Sequence, residues 1–383
     1  MLALVLGLPT RAPAKSPRVE AKAWTVIDAA SGDVLASHAA ARRLPIASTT
    51  KLMTAYVALR ELPLDQVVRA APYDAEYGES LLRLRPGQRI NVRDLLYGLI
   101  LRSGNDAAYD LARAAAGSEE RFVREMNDYA AALGLSDTHY ANPIGLDQRG
   151  NHSSARDLAT LTRRLLAIPV FARIAAAREA VLRSVRPRRR IETINELLRM
   201  VPWATGVKTG HTFGAGYVLV GSGRRNGVDL ISVAIGAPTD EDRYQDNLEL
   251  LEHGFSLYRR RVPVHAGQAL AEPAIHYGDD ELSLRAERTV AIGLRAGQRL
   301  EIAVKAPAEV EGPIRRGARL GSARVYVDGR RAAVVGLRAG RAVPEASTLD
   351  VLRSFATANV GWLALALSGI LVAAAFLSRR RFR

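Results

Sequence analysis

Residues 216–236 read GYVLVGSGRRNGVDLISVAIG, two apolar runs joined through Arg225-Asn226-Gly227. Asn-Gly favours the two positive-φ positions of a tight turn whose twist matches that of its flanking strands, so this stretch predicts a β-hairpin. Just upstream, Trp203-ATGV and Lys208-TG predict a further strand leading into it. Working outward, Trp24–Ala29 and Val34–His38 flank Ser31-Gly32-Asp33 and predict a second hairpin. Helical patterns fill the interval. One starts near Ser48 and ends before Pro63, a second runs from about Val92 to Leu101, and a third spans Asp106–Ala116 with Gly117 as its cap. Ser118 opens a fourth that closes at Gly134, and Ser154 heads a fifth, ARDLATLTRRLL. Strands at both ends with helices between them predict an α+β domain, residues 19–261, whose sheet joins its two termini.

Beyond Arg261 the texture changes. Leu282–Leu284, Val290–Leu294, Leu300–Val304, Ala323–Val327 and Ala332–Val335 are short runs separated by Gly-containing turns, the pattern of a small all-β domain over 262–342. Residues 343–358 read as a linker. Val360–Leu377 is then almost wholly apolar, and no charge falls between Ser354 and Ser378. At about 1.5 Å per residue such a helix can cross a hydrocarbon core of roughly 30 Å, which predicts a transmembrane helix over 359–378 with Trp362 at an interface. Arg379, Arg380, Arg381 and Arg383 follow, so residues 379–383 read as a cytoplasmic tail and the bulk of the chain as extracytoplasmic. At the other end, residues 1–18 hold a short apolar run and Ala12-Pro13-Ala14, which resemble the remnant of a secretory signal peptide. The expectation is a single-pass protein of the cell membrane.

Composition narrows the chemistry. Among 383 residues, 48% are hydrophobic and 24% charged, ordinary proportions for a folded chain. Cysteine is absent, which excludes cysteine nucleophiles, thiolate metal sites and disulfides. Seven histidines are scattered without metal-ligand spacing, so neither metal nor cofactor is expected. The net charge of +15 favours anionic partners such as acidic wall polymers or lipid, and the exposed-looking run Arg186-PRRR fits that. Nucleic acid is not an expected partner, because no aromatic-basic stacking pattern accompanies the charge. Lysine occurs only at positions 15, 22, 51, 208 and 305, every other cation being arginine. A lysine kept in such a chain hints at work arginine cannot do, such as losing its proton.

Ser48-Thr49-Thr50-Lys51 opens the first predicted helix, and residues at i and i+3 share a face, so the hydroxyl and the amine project together. The macrodipole disfavours a cation at a helix start, which suits a lysine that must be neutral. A neutral amine can take the proton of Ser48 and make it a nucleophile. Alone, the pattern is also that of a capped helix start. Ser103-Gly104-Asn105 falls between two helices where Gly104 would permit a tight turn, and alone it is a linking turn. Lys208-Thr209-Gly210 could be a mere strand end. The order carries the weight: Ser-x-x-Lys, Ser-x-Asn and Lys-Thr-Gly in one chain, with two of five lysines inside them.

These three motifs form the set of the serine β-lactamases and penicillin-binding proteins. With Arg102-SGNDAAYDLA, Asn142-PIGLD, His152-SSARDLA and Lys208-TGHTFGAGYVLV, the chain resembles the low-molecular-mass penicillin-binding proteins, the serine D-alanyl-D-alanine carboxypeptidases, over about residues 19–260. The resemblance implies a β-lactamase/transpeptidase-like fold, an antiparallel sheet with a helical cluster. It further implies a hydrolase that removes the terminal D-alanine of peptidoglycan stem peptides through an acyl-serine, with β-lactams as inhibitors acting on the same serine. Carried over by position, Ser48 would be the nucleophile and Lys51 its base, Ser103 a proton relay, and Asn105 a hydrogen-bonding partner of substrate or lysine. Lys208 would supply positive potential, Thr209 would contact the terminal carboxylate, Gly210 would be a further substrate-binding position, His211 would lend its N–H to an oxyanion hole with that of Ser48, and Arg243 would hold the substrate's carboxylate. Asp157, three residues after Ser154, reads as half of a capping box. A β-lactamase, a D,D-endopeptidase or a non-catalytic wall-binding scaffold are the alternatives. Against the first, no Glu-x-x-Leu-Asn stands between the second and third motifs.

Overall fold

A computed structural model describes residues 16–278 and 280–358. The predicted transmembrane segment 359–378 and tail 379–383 lie outside the described residues, as do the first fifteen. Among the described residues no helix is long and apolar enough to cross a membrane. The chain divides into two units, one ending at Tyr258 and the other beginning at Arg259.

In the first unit, β1 (Ala23–Asp28) and β2 (Val34–His38) form the predicted hairpin, and a 3₁₀ turn, Ala47–Thr50, leads into α1 (Lys51–Glu61). A small ribbon, β3 (Val67–Arg69) and β4 (Arg89–Asn91), precedes α2 (Val92–Leu101), α3 (Asn105–Ala116) and α4 (Glu119–Ala132). Then come α5 (Ala155–Leu166), α6 (Pro169–Ala175), the ribbon β5 (Glu179–Leu182) and β6 (Arg189–Glu192), and the single turn α7 (Leu197–Met200). Strands β7 (Ala204–Thr212), β8 (Gly216–Arg225) and β9 (Val228–Ala237) precede the closing α8 (Asp240–Ser256).

The five long strands make one antiparallel sheet in the order β2-β1-β9-β8-β7. The last predicted hairpin thus pairs with the first across the whole domain. Its turn is the one Asn-Gly selects, with Asn226 at φ 52° and Gly227 at φ 78° inside the closing pair Arg225↔Val228. Strand β9 is buried along nearly its whole length because both faces are covered. On one side α8 packs Leu250, Leu251 and Phe255 against it, and on the other lies the helical cluster. Helix α1 sits in the middle of that cluster, with Leu52, Met53, Tyr56 and Val57 all buried, so it is apolar around its circumference as an internal helix must be. Its first residue, Lys51, is carried into the interior with it.

Helix boundaries follow side-chain chemistry. Ser118 and Ser154 each accept the N3 amide of the helix they open, and Gly117 ends α3 in the left-handed region at φ 80°. Asp157 is not half of a capping box. Its carboxylate turns away from Ser154 to accept Asp137 N–H and the Thr138 hydroxyl, tying α5 to the preceding loop. The Arg186-PRRR run forms the β5–β6 turn, where Arg186, Arg188 and Arg190 are exposed and Arg189 is half-buried.

The second unit is all β apart from its last helix. It contains β10 (Tyr258–Val264), β11 (Ala269–Ala271), β12 (Ala274–Ile275), β13 (Leu284–Ala286), β14 (Val290–Arg295), β15 (Leu300–Lys305), β16 (Glu309–Val310), β17 (Arg319–Val327) and β18 (Arg330–Ala339). Its main sheet runs β11-β13-β18-β17-β15 over a core that includes Leu284, Leu300, Val325, Val335 and Leu337. Part of the stretch that reads as a linker is helical, α9 (Thr348–Ala358).

Candidate active site

The first wall of the site is the start of α1. The sequence reading places Ser48 in an ordinary helical turn, but residues 47–50 are 3₁₀. In that tighter coil side chains at i and i+3 eclipse, which brings Ser48 and Lys51 into register more closely than an α-helical turn would. Neither Ser48 nor Thr50 caps the helix with its side chain. The Ser48 hydroxyl is instead engaged by Lys51, whose Nζ donates to Ser48 Oγ at 2.8 Å and to the Ile144 carbonyl at 2.5 Å. That carbonyl is aimed by a turn built on Asn142, whose Oδ1 accepts Ile144 N–H and Gly145 N–H while its Nδ2 donates to the Leu146 carbonyl. Gly145, at φ 89°, lies against the 3₁₀ turn so closely that a Cβ would stand 2.1 Å from the Ala47 carbonyl oxygen. Asn142-PIGLD is thus the strut that fixes the lysine.

The second wall is the loop before α3. Ser103 takes the left-handed conformation at φ 57°, whereas Gly104 has an ordinary φ of −60°. Gly104 is therefore required for closeness rather than for turning. A Cβ there would meet Leu82 N at 3.0 Å and Asp106 Oδ1 at 2.9 Å. Ser103 Oγ accepts from Lys208 Nζ at 2.9 Å, and the same ammonium donates to the Thr209 carbonyl at 2.7 Å. Asn105, the first residue of α3, directs its Nδ2 at Glu79 Oε2, 2.6 Å away.

The third wall is β7, the edge strand of the sheet. Lys208 and Thr209 are buried in it, and Gly210 passes so near the 3₁₀ turn that a Cβ would lie 3.1 Å from Ile46 O and Ser48 N. Lacking a side chain, Gly210 lets the edge of the sheet approach the serine backbone. His211 is exposed, with its ring stacked on Tyr217 at 4.2 Å. Arg243 comes from α8 and, far from being a solvated charge, keeps only 11% of its side chain exposed. It donates to the Gly210 carbonyl at 3.2 Å, pairs with Asp240, and lies over the rings of Tyr217 and Tyr244.

The fold thus ties eight of the nine predicted residues, Ser48, Lys51, Ser103, Asn105, Lys208, Thr209, Gly210 and Arg243, to one place, with His211 next along the same strand. Burial drives Lys51 down to about 7, against the opposing pull of Glu79 and Asp106. Burial also takes Lys208 well below its ordinary value, reinforced by the cations Lys51 and Arg243. Lys51 can therefore be neutral near neutral pH while touching a serine hydroxyl, the requirement for a general base. Three contributors had no role in the sequence reading: the Ile144 carbonyl and the Asn142 turn, which belong to the quoted stretch Asn142-PIGLD, and Glu79, which belongs to no motif. The first is a backbone atom, and the last lies 26 positions from its partner.

Comparisons with known proteins agree with this geometry. A family model described as D-alanyl-D-alanine carboxypeptidase matches residues 10–239. The chain is 36% identical over 302 residues to D-alanyl-D-alanine carboxypeptidase DacC of Escherichia coli, covering 74% of each chain. It is 31% identical over 320 residues to DacF of Bacillus subtilis, covering 81% of this chain and 82% of that one. Among solved structures, penicillin-binding protein 5 of Haemophilus influenzae aligns with a TM-score of 0.60 at 28% identity, over 87% of this chain and all of that one. A D-alanyl-D-alanine carboxypeptidase of Mycobacterium tuberculosis aligns with a TM-score of 0.60 at 36% identity, over 66% of this chain and 96% of that one.

Proposed function

The chain belongs to the D-alanyl-D-alanine carboxypeptidase family, and from that premise we propose how its own residues carry the reaction. It is a serine-type hydrolase that releases the terminal D-alanine from peptides ending in D-Ala-D-Ala, and β-lactams acylate the same serine. Ser48 Oγ attacks the carbonyl carbon of the penultimate D-alanine as its proton passes to the neutral amine of Lys51. The carbonyl oxygen becomes an oxyanion received by the backbone N–H groups of Ser48 and His211, which Gly210 allows to stand close together. Collapse of this intermediate breaks the peptide C–N bond, and the proton held by Lys51 passes through Ser103 to the leaving amine of free D-alanine, returning Lys51 to its neutral form. Water, deprotonated by Lys51, then attacks the acyl-Ser48 ester, releases the shortened peptide and restores the hydroxyl. Asn105 holds the substrate's peptide group, while Lys208, Thr209 and Arg243 receive its terminal carboxylate. That carboxylate would also restore the proton affinity that burial takes from Lys208.

The observation that carries this reading is the 2.8 Å contact between Ser48 Oγ and a buried amine that burial holds near neutrality. Mass spectrometry after exposure to penicillin should find the adduct on the peptide containing Ser48, and a D-Ala-D-Ala peptide should yield free D-alanine. An adduct elsewhere, or no released alanine, would refute the assignment. The apolar run Val360–Leu377 and the arginines after it support anchoring in the cell membrane by a helix over 359–378, with the first unit outside and the tail in the cytoplasm. Protease protection of a C-terminal tag in intact cells tests that orientation.

A further inference from the structure

We infer that Glu79 is a positioning residue for this reaction, fixing which end of the Asn105 amide is offered to the cleft. The inference rests on the reading of Asn105 given above. Glu79 lies in the loop between β3 and β4 and is half-buried. Its Oε2 accepts from Asn105 Nδ2 at 2.6 Å and from the Tyr73 hydroxyl at 2.6 Å, and its Oε1 accepts from Glu76 N–H at 3.0 Å. An ionised carboxylate can only accept hydrogen bonds, so the Asn105 group facing it must be the NH₂. The amide carbonyl, Oδ1, then has no protein donor among the described residues and is left for a substrate N–H or the Lys51 ammonium.

Glu79 is itself held in place. Asn105 N–H donates to the Ser80 carbonyl at 2.8 Å, and both oxygens of Asp106 accept from the same loop, from Leu82 N–H at 2.8 Å and Leu84 N–H at 3.0 Å. The Tyr73 ring leans on Tyr109 of α3 with centroids 5.6 Å apart. The loop is thereby laced to the start of α3, and a carboxylate on it keeps its aim. Burial pushes the Glu79 carboxyl up, but the bonds from Asn105 and Tyr73 outweigh it and keep the group ionised.

Geometry gives Glu79 a second effect at the same site. Glu79 from the loop and Asp106 from α3 both favour the charged form of Lys51 against its burial, and the Lys51 charge in turn disfavours that of Lys208 on β7. Removing the Glu79 charge must lower the affinity of Lys51 for its proton further.

The test is the pH dependence of kcat/KM on a D-Ala-D-Ala peptide for the full chain and for Glu79→Gln, Glu79→Ala and Asn105→Ala. Glutamine can turn its own amide to donate to Asn105, which lets the asparagine flip. Both Glu79 variants should lose about tenfold or more in kcat/KM, the effect of misdirecting one hydrogen bond to a charged partner. Their acidic limb should move to lower pH, while thermal unfolding stays near that of the parent protein because Glu79 is not a core residue. Parent-like kcat/KM in both Glu79 variants, alongside a crippled Asn105→Ala, would overturn the inference and leave the reading of Asn105 intact. A rate loss with an unmoved limb would reduce Glu79 to a structural prop and also overturn it. Full activity of Asn105→Ala would instead remove the reading beneath it.

Discussion

Lys51 and Lys208 approach the cleft from opposite walls, one at the head of a central helix and the other on the edge of a sheet. Each is buried, each donates to a serine hydroxyl, at 2.8 Å and 2.9 Å, and each spends a second hydrogen on a backbone carbonyl. By contact geometry the two pairs are nearly interchangeable. Their electrostatic settings differ in sign. Lys51 feels the carboxylates of Glu79 and Asp106, which partly offset burial, while Lys208 faces Lys51 and Arg243, which add to it. A lysine–serine contact therefore does not by itself identify a base. What separates the pairs is the charge on the far side of each amine, together with the backbone. Ser48 belongs to a turn that β7 approaches within contact of a glycine, whereas Ser103 is itself at a positive φ and faces Lys208.

Exchanging each lysine for arginine tests that contrast most severely. Arginine keeps its charge and cannot act as a base, so Lys51→Arg should cost about a thousandfold or more in acylation by penicillin. Lys208→Arg retains a cation where one is wanted and should act mainly by raising KM, by roughly ten- to a hundredfold. Equal losses in stopped-flow acylation would mean that the two walls are not divided into base and anion receptor. The pH profile sharpens the comparison further. Since Lys51 must shed its proton, kcat/KM for acylation should rise with pH through about 7 and level off above it. A profile flat from pH 6 to 9 would dissociate the base from Lys51.

The smallest effect concerns stability. Folding lowers the proton affinity of both lysines, so above about 7 the unfolded chain binds protons that the native one does not. Unfolding free energy should then rise with pH from about 7 toward 10, the unfolded lysine value. Lys51→Met should flatten that slope by at most about 1.4 kcal/mol per pH unit, measured by denaturant titration. An unchanged slope would mean that the Lys51 amine is not desolvated.

Much of this was legible beforehand for a physical reason. Asn226-Gly227 and the apolar runs beside it specify a hairpin through local backbone preference, and Ser118 and Ser154 specify helix starts through bonds spanning three residues. The candidacy of Ser48, Lys51, Ser103, Asn105 and Lys208 was legible too, because side-chain type limits what a residue can do and scarce lysines draw attention to themselves. The 3₁₀ turn was not legible, since a single hydrogen-bond register separates it from an α-helix. Nor was the reason for Gly104, which is a neighbour's position rather than its own φ.

By itself the sequence determined the two hairpins, the five helices around Ser48, Val92, Asp106, Ser118 and Ser154, and which side chains could react, since those follow from local dihedral preference and from side-chain chemistry; it left α8 and the short ribbons unread. Tertiary structure alone decided how far burial lowers the proton affinity of each amine, which carbonyl braces Lys51, and that Glu79 aims Asn105. Those outcomes depend on dielectric and on distances between atoms far apart in the chain, which exist only once the sheet, the helical cluster and the loops have closed around them.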